Sequence, residues 1–304
     1  MRIAGIDFSS APAPRKPIVI ASGRLAAGRE EGRLRIDAFR TLPTLAGFGD
    51  WLSADGPWIA GCDFPFGLPR EFIDAQGWGR LDWPALLDRV SALTRAELVG
   101  RCRAYAAARP AGAKFAHRAT DRPAGSSPSM KWVNPPVVLM LHAGVPLLRA
   151  AGVTLPALQP GDPTRVALEA YPGLIARLAI ARRSYKSDDP RRNDADRRAA
   201  RAAIVEFLGC GDATGIRVEL GDGLQQACLD DFRADRLDAV LCAVQAAWGA
   251  LRRDAGWGLP ADTDPLEGWI VGAGAIGGRH EATASQNAGL SACVRSPRPR
   301  GPAR

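Results

Sequence analysis

The sequence predicts a mixed α/β fold in which a five-stranded sheet is flanked by helices. Three strand-like segments fall within the first forty residues and are separated only by short turns at Gly23 and near Gly32, a spacing typical of an antiparallel meander. Two more strand-like segments follow and are interleaved with helical patterns. With 304 residues, of which 46% are hydrophobic, the chain is long enough to bury one large core.

The first predicted strand, residues 1–8, ends on the carboxylate of Asp7 and is followed at once by a turn. A buried strand that ends on an acid places that acid at the edge where open α/β sheets bind ligands. A carboxylate there is costly unless a cation meets it, so we expect a metal ion or a phosphate-bearing partner at Asp7. The alternative is that Asp7 only caps the turn through Ser9 and Ser10.

The next predicted elements are strands at residues 16–22 and 33–39 and a short helix at residues 45–53. A fourth strand, residues 58–62, again runs into an acid, Asp63. The proline and glycine residues that follow turn the chain away and leave this carboxylate at the end of the strand.

Residues 70–160 are predicted to be an insertion made of helices and loops. A helical pattern spans residues 82–108, and a polar, basic stretch with interleaved aromatic residues follows at residues 109–131. Such a stretch can contact a nucleic-acid backbone and stack a base, although a solvated loop over the core explains it equally well. The candidate substrate contacts in this stretch are Arg118, Asp121 and Lys131.

The fifth predicted strand, residues 165–171, carries a third acid, Glu169, and is stopped by a Pro-Gly pair. A short helix and a basic loop at residues 182–190 follow. The charge of this loop makes Arg183 and Lys186 candidate contacts for substrate phosphates, and it makes Lys186 a candidate to approach the scissile phosphate.

The most hydrophobic helix of the chain is predicted at residues 231–251. Its first turns carry Asp235 and Asp238, which are three residues apart and therefore share one face. That face continues into Leu241 and Cys242, which are core residues, so both acids are expected on the inward side. Capping of the helix N-terminus explains one acid well and two less well.

Half of the net charge of +8 lies in residues 279–304, which hold five arginines against one glutamate. A basic chain suits a polyanionic partner, although a bias in composition also explains the charge. Residues 271–304 are predicted to be a flexible basic tail that follows a single domain spanning residues 1–270. The GxGxxG pattern at residues 272–277 lacks the βαβ unit of a dinucleotide site, so we expect no nucleotide cofactor.

The sequence predicts a cytoplasmic protein that does not enter a membrane. It begins without the basic and apolar regions of a signal peptide, and no apolar stretch reaches the length of a membrane span. The six cysteines are scattered without a CxxC pair, which is typical of reduced thiols in a core.

Five acids are therefore expected to point inward at one place: Asp7, Asp63, Glu169, Asp235 and Asp238. Carboxylates that lie close together repel one another and raise one another's pKa. Hard divalent cations such as Mg²⁺ or Mn²⁺ take oxygen ligands and resolve that repulsion, and two such ions suit phosphoryl chemistry.

Six stretches of the sequence carry a family resemblance: GIDFSSAP from Gly5, GCDFPFGLP from Gly61, KWVNPPV from Lys131, EAYPGL from Glu169, RRSYKSDD from Arg182 and DRLDAVLCAVQAAW from Asp235. Together they resemble a family of uncharacterised bacterial and archaeal proteins, domain of unknown function 429, that is predicted to contain ribonuclease H-like nucleases. The predicted order of three strands, a helix, a fourth strand, a helical insertion, a fifth strand and further helices is also the ribonuclease H-like order.

The resemblance implies a ribonuclease H-like fold and metal-dependent nuclease chemistry. In that wider superfamily, which includes junction resolvases, the first-strand acid matches Asp7 and a fourth-strand acid matches Asp63. An acid pair at the start of the last helix matches Asp235 and Asp238. Glu169 belongs to the pattern of the narrower family, and its role as a ligand is left open.

The leading hypothesis is a nuclease, a hydrolase that uses Mg²⁺ or Mn²⁺ to cut the phosphodiester bonds of DNA or RNA. Asp7 would bridge two ions, Asp63 and Asp238 would complete the site, and Asp235 or Glu169 would assist. One alternative is a phosphotransferase of the actin-like ATPase group, in which Ser9 would replace a phosphate-loop glycine. The other is a non-catalytic ribonuclease H-like binding protein.

Overall fold

The protein is described here from a computed structural model that covers residues 1–27, 32–54 and 56–277. A mixed sheet runs through its centre, and helices pack on both faces. The strands are β1 (Arg2–Asp7), β2 (Ile18–Ala27), β3 (Gly32–Leu42), β4 (Trp58–Cys62), β5 (Val153–Thr154), β6 (Asp162–Glu169) and β7 (Ile216–Leu220).

Ten helices connect and cover these strands within the described ranges. They are α1 (Leu45–Ser53), α2 (Arg70–Ala75), α3 (Trp83–Ser91), α4 (Arg95–Ala107), α5 (Asp121–Ala124), α6 (Val137–Ala150), α7 (Pro172–Ile180), α8 (Ala195–Cys210), α9 (Leu224–Asp230) and α10 (Asp235–Ala250).

The strands are arranged in the order β5-β6-β4-β1-β2-β3-β7. Strands β1, β2 and β3 form an antiparallel meander, whereas β4 runs parallel to both β1 and β6. Because the carboxyl ends of parallel strands lie at one edge of a sheet, β1, β4 and β6 deliver their last residues, among them Asp7 and Glu169, to the same edge.

The mixed α/β class with flanking helices is confirmed, but the sheet has seven strands and not five. The two additional strands, β5 and β7, lie at its two ends. Strand β5 has only two residues, which is too short to show an alternating pattern. Strand β7 alternates between buried and more exposed residues and pairs in parallel with β3, which lies far from it in sequence.

Alternate residues of the central strands pack into two different hydrophobic cores, one on each face of the sheet. Ile3 of β1 packs with α7, α8 and α10 on one face of the sheet, whereas Ala4 and Ile6 pack with α1, α3 and α6 on the other. Helix α10 is buried from Leu237 to Ala250. This explains its apolar composition, because the sheet covers one side of it and the helices α7 and α9 contact others.

The insertion between β4 and β6 contains five helices, and the predicted continuous helix at residues 82–108 is two helices, α3 and α4. The break has a local cause. Thr94 begins α4 with a capping box in which its hydroxyl accepts from the Glu97 backbone N–H, while the Glu97 carboxylate accepts from the Thr94 backbone N–H.

The predicted C-terminal tail begins with residues that join the core. Val271, Ala273 and Ile276 are buried among the residues that pack around α10. The Val271 backbone N–H donates to the Glu169 carbonyl oxygen at 2.9 Å, which fixes this segment against the end of β6. The rest of the predicted flexible tail, residues 278–304, lies outside the described residues.

Helix α10 lies so close to β1 that only glycine fits at Gly5, where a Cβ would overlap the backbone of Ala239 and Ala243. We expect Gly5→Ala to destabilise the fold by about 3 kcal/mol or more, because a backbone clash cannot be relieved by a rotamer change. Urea denaturation followed by circular dichroism measures this change.

The matched control is Gly100→Ala on the exposed side of α4, where a Cβ has nothing within 4 Å. This substitution should stabilise the protein by about 0.5–1 kcal/mol, because alanine favours a helix over glycine. Equal effects of the two substitutions would contradict the close contact between α10 and β1.

Candidate active site

The ends of β1 and β4 place two acids side by side. Ile6 pairs with Cys62 in the parallel ladder, and the backbone N–H of Asp63 donates to the Ile6 carbonyl oxygen at 3.0 Å. The next residue of β1 is Asp7. Both carboxylates therefore leave the sheet at the same edge, from adjacent strands.

The start of α10 brings the other two acids to this edge. Asp231 caps the turn before the helix, because its carboxylate accepts from the backbone N–H groups of Arg233 and Arg236. Neither Asp235 nor Asp238 caps the helix through its side chain. The close contact of α10 with β1 and β4 then places these two acids beside Asp7 and Asp63.

The pKa values of this cluster, defined as Asp7, Asp63, Asp235 and Asp238, show how strongly the charges interact. Burial raises the pKa of Asp7 well above its usual value, and the charges of the other three acids raise it further. Burial also raises the pKa of Asp63 to about 7 and that of Asp235 to about 6, with further contributions from Asp238 to both. Burial and the neighbouring acids therefore both disfavour the charged form of these carboxylates.

Three of the four carboxylates have no hydrogen-bond or ion-pair partner in the part of the chain that the structure describes. Within the described residues, the side chains of Asp7, Asp63 and Asp235 accept no hydrogen bond and form no ion pair. The turn after β1 is instead closed by Ser9, whose hydroxyl accepts from the Ala11 backbone N–H at 3.4 Å. Capping of that turn therefore does not explain Asp7.

Asp238 differs because two residues of the loop at residues 182–190 bind it. The Tyr185 hydroxyl donates to Asp238 Oδ1 at 2.6 Å, and the Lys186 ammonium pairs with Oδ2. Burial, followed by the charge of Asp238, raises the pKa of the Tyr185 hydroxyl well above its usual value. Burial alone would lower the pKa of Lys186. The negative charges of Asp238, Asp7 and Asp63 outweigh this effect and raise the pKa above its usual value.

A buried arginine holds this loop in place. Arg201 of α8 is fully buried and donates to the Tyr185 carbonyl oxygen at 3.0 Å and to the side chain of Asn193 at 2.9 Å. The Ser187 backbone N–H also donates to the Phe232 carbonyl oxygen at 3.1 Å, just before α10. The loop is therefore tied both to α8 and to the segment that carries Asp235 and Asp238.

Two cavities with several cationic side chains in their walls open onto the cluster. The first, about 460 Å³, lies beside Asp7 and Asp235 and is also lined by Lys16, Lys186 and Arg233. The second, about 350 Å³, lies beside Asp63. It is lined by Arg182 and Arg183, which are exposed, and by Lys186. Cationic side chains therefore line both cavities beside the acids.

The carboxylates do not form a preassembled metal site. In the part of the chain that the structure describes, no group of three or more His, Cys, Asp or Glu side chains lies close enough together to hold a metal ion. Lys186 instead provides the positive charge at Asp238 and lowers the pKa values of Asp7, Asp63 and Asp235 below what repulsion and burial alone would give.

Glu169 reaches the same edge but is held in a separate buried network. Its carboxylate accepts two hydrogen bonds from the Arg118 guanidinium, at 2.6 and 2.8 Å, and one from the Phe66 backbone N–H at 2.9 Å. Arg118 also donates to Asp121 at 3.0 and 3.1 Å. Burial raises the pKa of Glu169, and the Arg118 guanidinium opposes that rise.

The candidate substrate contacts thus fall into two groups. Arg118 and Asp121 are buried, at 2% and 0% exposure, and are bound to each other. Lys131 is half-buried and donates to the Asn134 carbonyl oxygen at 2.6 Å, within its own loop. Arg183 and Lys186 lie at the cavities beside the cluster.

Sequence reasoning missed two residues that matter at this edge. Tyr185 binds Asp238, and the one signal for it was its position next to Lys186. Glu267 binds the Arg70 backbone N–H at 2.6 Å and the Ala119 backbone N–H at 2.8 Å, while its carbonyl oxygen accepts from Arg118. No local pattern could identify Glu267, because its partners are more than 140 residues away.

Comparison with known proteins identifies one family. The sequence model of a family described as "Protein of unknown function (DUF429)" matches residues 5–264, which is most of the chain. No curated protein and no solved structure matches. Among the described residues, none of the helices has the length and apolar composition that crossing a membrane requires.

The buried network predicts that Arg118 stabilises the fold. Arg118→Met would leave Glu169 and Asp121 buried without their cation, so we expect a loss of about 3–5 kcal/mol in the free energy of unfolding, measured by urea denaturation.

The matched control is Arg191→Met, which removes an ion pair with Asp189 from a side chain that is 89% exposed. That loss should stay below about 1 kcal/mol. A stable Arg118→Met protein would show that Arg118 is not a structural residue.

Proposed function

Because this chain belongs to the family described as "Protein of unknown function (DUF429)", its function has to be argued from its own site, and we propose that it is a metal-dependent nuclease with a ribonuclease H-like fold. In this proposal the protein hydrolyses phosphodiester bonds of DNA or RNA, with Mg²⁺ or Mn²⁺ bound at the carboxylate cluster.

The observation that carries the proposal is the set of three unpartnered acids. Asp7, Asp63 and Asp235 come from three different elements, meet at one edge of the sheet and have raised pKa values. Asp7 and Asp235 line the first cavity, and Asp63 lines the second. Carboxylates that repel one another without a protein partner lower the stability of the fold. Proteins commonly keep such destabilising groups at functional sites.

The topology supports the ribonuclease H-like part of the proposal. An antiparallel meander is followed by a helix, by β4 parallel to β1, by a helical insertion and by β6 parallel to β4, and helices follow. Apart from the additional strands β5 and β7, this chain order agrees with the order that the resemblance implies, and this agreement supports Asp7, Asp63, Asp235 and Asp238 as the ligands.

The donor set fits a hard divalent ion in its chemistry. Asp7, Asp63, Asp235 and Asp238 offer carboxylate oxygens only, which are the ligands that Mg²⁺ and Mn²⁺ prefer. Asp238 would have to release Lys186 in order to act as a ligand. When bound, such ions activate water and stabilise the negative charge on the leaving oxygen of a phosphodiester.

The cationic residues around the cluster have a separate role. When Lys186 is released from Asp238, its exposed side chain can contact a phosphate oxygen. Tyr185 still donates to Asp238 and keeps that carboxylate oriented. Arg182 and Arg183 line the cavity beside Asp63, where they attract a phosphate backbone. Glu169 acts in this proposal as a positioning residue, because Arg118 and the Phe66 backbone N–H occupy its oxygens.

A second candidate function, a nucleic-acid-binding protein without catalysis, is favoured by one observation. Lys186 already neutralises Asp238, and the described residues contain no preassembled group of three metal ligands. The same cationic cavities would then bind the backbone, and the acids would have no catalytic role. Only a cleavage assay separates the two candidates.

The nuclease proposal predicts that Asp7→Asn abolishes cleavage. The protein is incubated with MnCl₂ and with labelled single-stranded, duplex, hybrid and branched oligonucleotides. At least one substrate should be cut, and Asp7→Asn should reduce that rate by about 100-fold or more, because it removes a ligand of the ion that would stabilise the charge on the leaving oxygen. Thermal unfolding checks that the variant is folded.

Asp50→Asn is the matched control, because Asp50 is an exposed residue of α1 that does not line the cavities. Its cleavage rate should equal that of the unaltered chain. Binding of the oligonucleotides without any cleavage would favour the second candidate, and full activity of a folded Asp7→Asn variant would remove Asp7 from the mechanism.

A further inference from the structure

A third cavity adjoins the acidic cluster and differs in character from the other two. It has a volume of about 320 Å³ and lies between β4, β6 and the start of α6. It shares Asp63, Tyr171 and Lys186 with the cavity beside Asp63, so it opens directly onto the site. We call it the side cavity.

The walls of the side cavity are mostly uncharged. Phe64, Pro65, Val137, Met140 and Ile270 supply apolar surface. Charged residues also line it, but Arg118 and Glu169 are ion-paired with each other, and Arg118 is also paired with Asp121, so neither is a free charge. Away from Asp63 and Lys186 at its mouth, the side cavity therefore suits a neutral group.

Two serine hydroxyls give the side cavity a polar part. The Ser126 hydroxyl donates to Asp121 Oδ1 at 3.1 Å, so it is already engaged as a donor and can still accept a hydrogen bond. The Ser127 side chain makes no hydrogen bond within the described residues and remains able both to donate and to accept. An apolar cavity with a few placed hydroxyls matches a flat ring that has polar atoms along its edge.

The other two cavities carry further cationic side chains. The cavity beside Asp7 is lined by Lys16 and Arg233, together with Asp188, which pairs with Lys16, and the cavity beside Asp63 is lined by Arg182 and Arg183. Cationic walls suit the phosphates of a backbone. A nucleic-acid strand whose phosphates follow these two cavities past the acids would pass the side cavity, which shares Lys186 with both of them.

We propose that the side cavity binds one unpaired nucleobase, so that the substrate is single-stranded nucleic acid or a strand with an unpaired nucleotide beside the bond that is cut. This inference rests on the nuclease function proposed above and adds the substrate class to it. A paired and stacked base cannot enter a cavity without first leaving the duplex. Contact between the base and the apolar wall contributes binding that a backbone alone does not supply.

The test compares two labelled single-stranded oligonucleotides, incubated with the full chain and MnCl₂. The second strand has the same sequence but lacks the base at one position. The bond next to the missing base should be cut about tenfold more slowly than the same bond in the intact strand, which is the range that loss of one base contact produces. Bonds far from that position should be cut equally in both strands. Pairing the intact strand into a duplex should slow cleavage as well.

A pair of variants ties this difference to the side cavity. Val137→Trp adds bulk at its wall and should reduce the difference between intact and base-free strands to less than twofold. Val205→Trp places the same bulk in a separate cavity between α8 and β7 and should leave the tenfold difference in place. If Val137→Trp does not fold, the comparison of the two strands with the unaltered chain still decides the question.

The outcomes separate the two proposals. Equal cleavage next to the missing base, or faster cleavage of the duplex, would overturn the side cavity as a base site and leave the nuclease function standing. Cleavage of no strand at all would overturn the nuclease function and this inference with it.

Discussion

The close contact of helix α10 with strands β1 and β4 is the constraint on which the rest of this site depends. At Gly5 and Gly61 the helix backbone occupies the space that a side chain would need. This contact has two consequences that cannot be separated. It builds the tightest part of the core, and it brings the acids at the N-terminus of α10 to the edge of the sheet where Asp7 and Asp63 emerge.

Electrostatics then makes that edge different from the rest of the fold. The Arg118–Glu169 pair is nearby and more deeply buried than Asp7, Asp63 and Asp235, and each charge in it is met by a partner. At the cluster only Asp238 is met, by Lys186 and Tyr185, and three carboxylates remain unpartnered in the described chain. A protein that needed these residues for stability alone would be expected to pair them, because unpaired buried charge is costly. The difference between the two clusters is what points to a ligand.

Local patterns were sufficient to predict the strands that carry acids, because alternation and the turn after each strand are properties of neighbouring residues. The inward face of α10 was also predictable from its apolar periodicity. Sequence could not predict that Glu169 pairs with Arg118, 51 residues away, or that Lys186 lies on Asp238, 52 residues away. It indicated only a loop or a β-excursion at residues 209–223 and did not add β7 to the sheet, since a short edge strand is defined by its pairing with β3. Contacts of this kind form only in the tertiary structure, so a short segment of sequence does not indicate them.

The central claim is that the acidic cluster binds a divalent ion. The most direct test is calorimetric titration of the chelator-treated full chain with MnCl₂ at pH 6 and pH 8, in buffers of different ionisation enthalpy. Because the pKa values of Asp63 and Asp235 are about 7 and about 6, carboxylates that bind an ion must release protons at pH 6. We therefore expect saturable binding that is tighter at pH 8 and that releases more protons at pH 6. Absence of saturable binding at both pH values would contradict the claim.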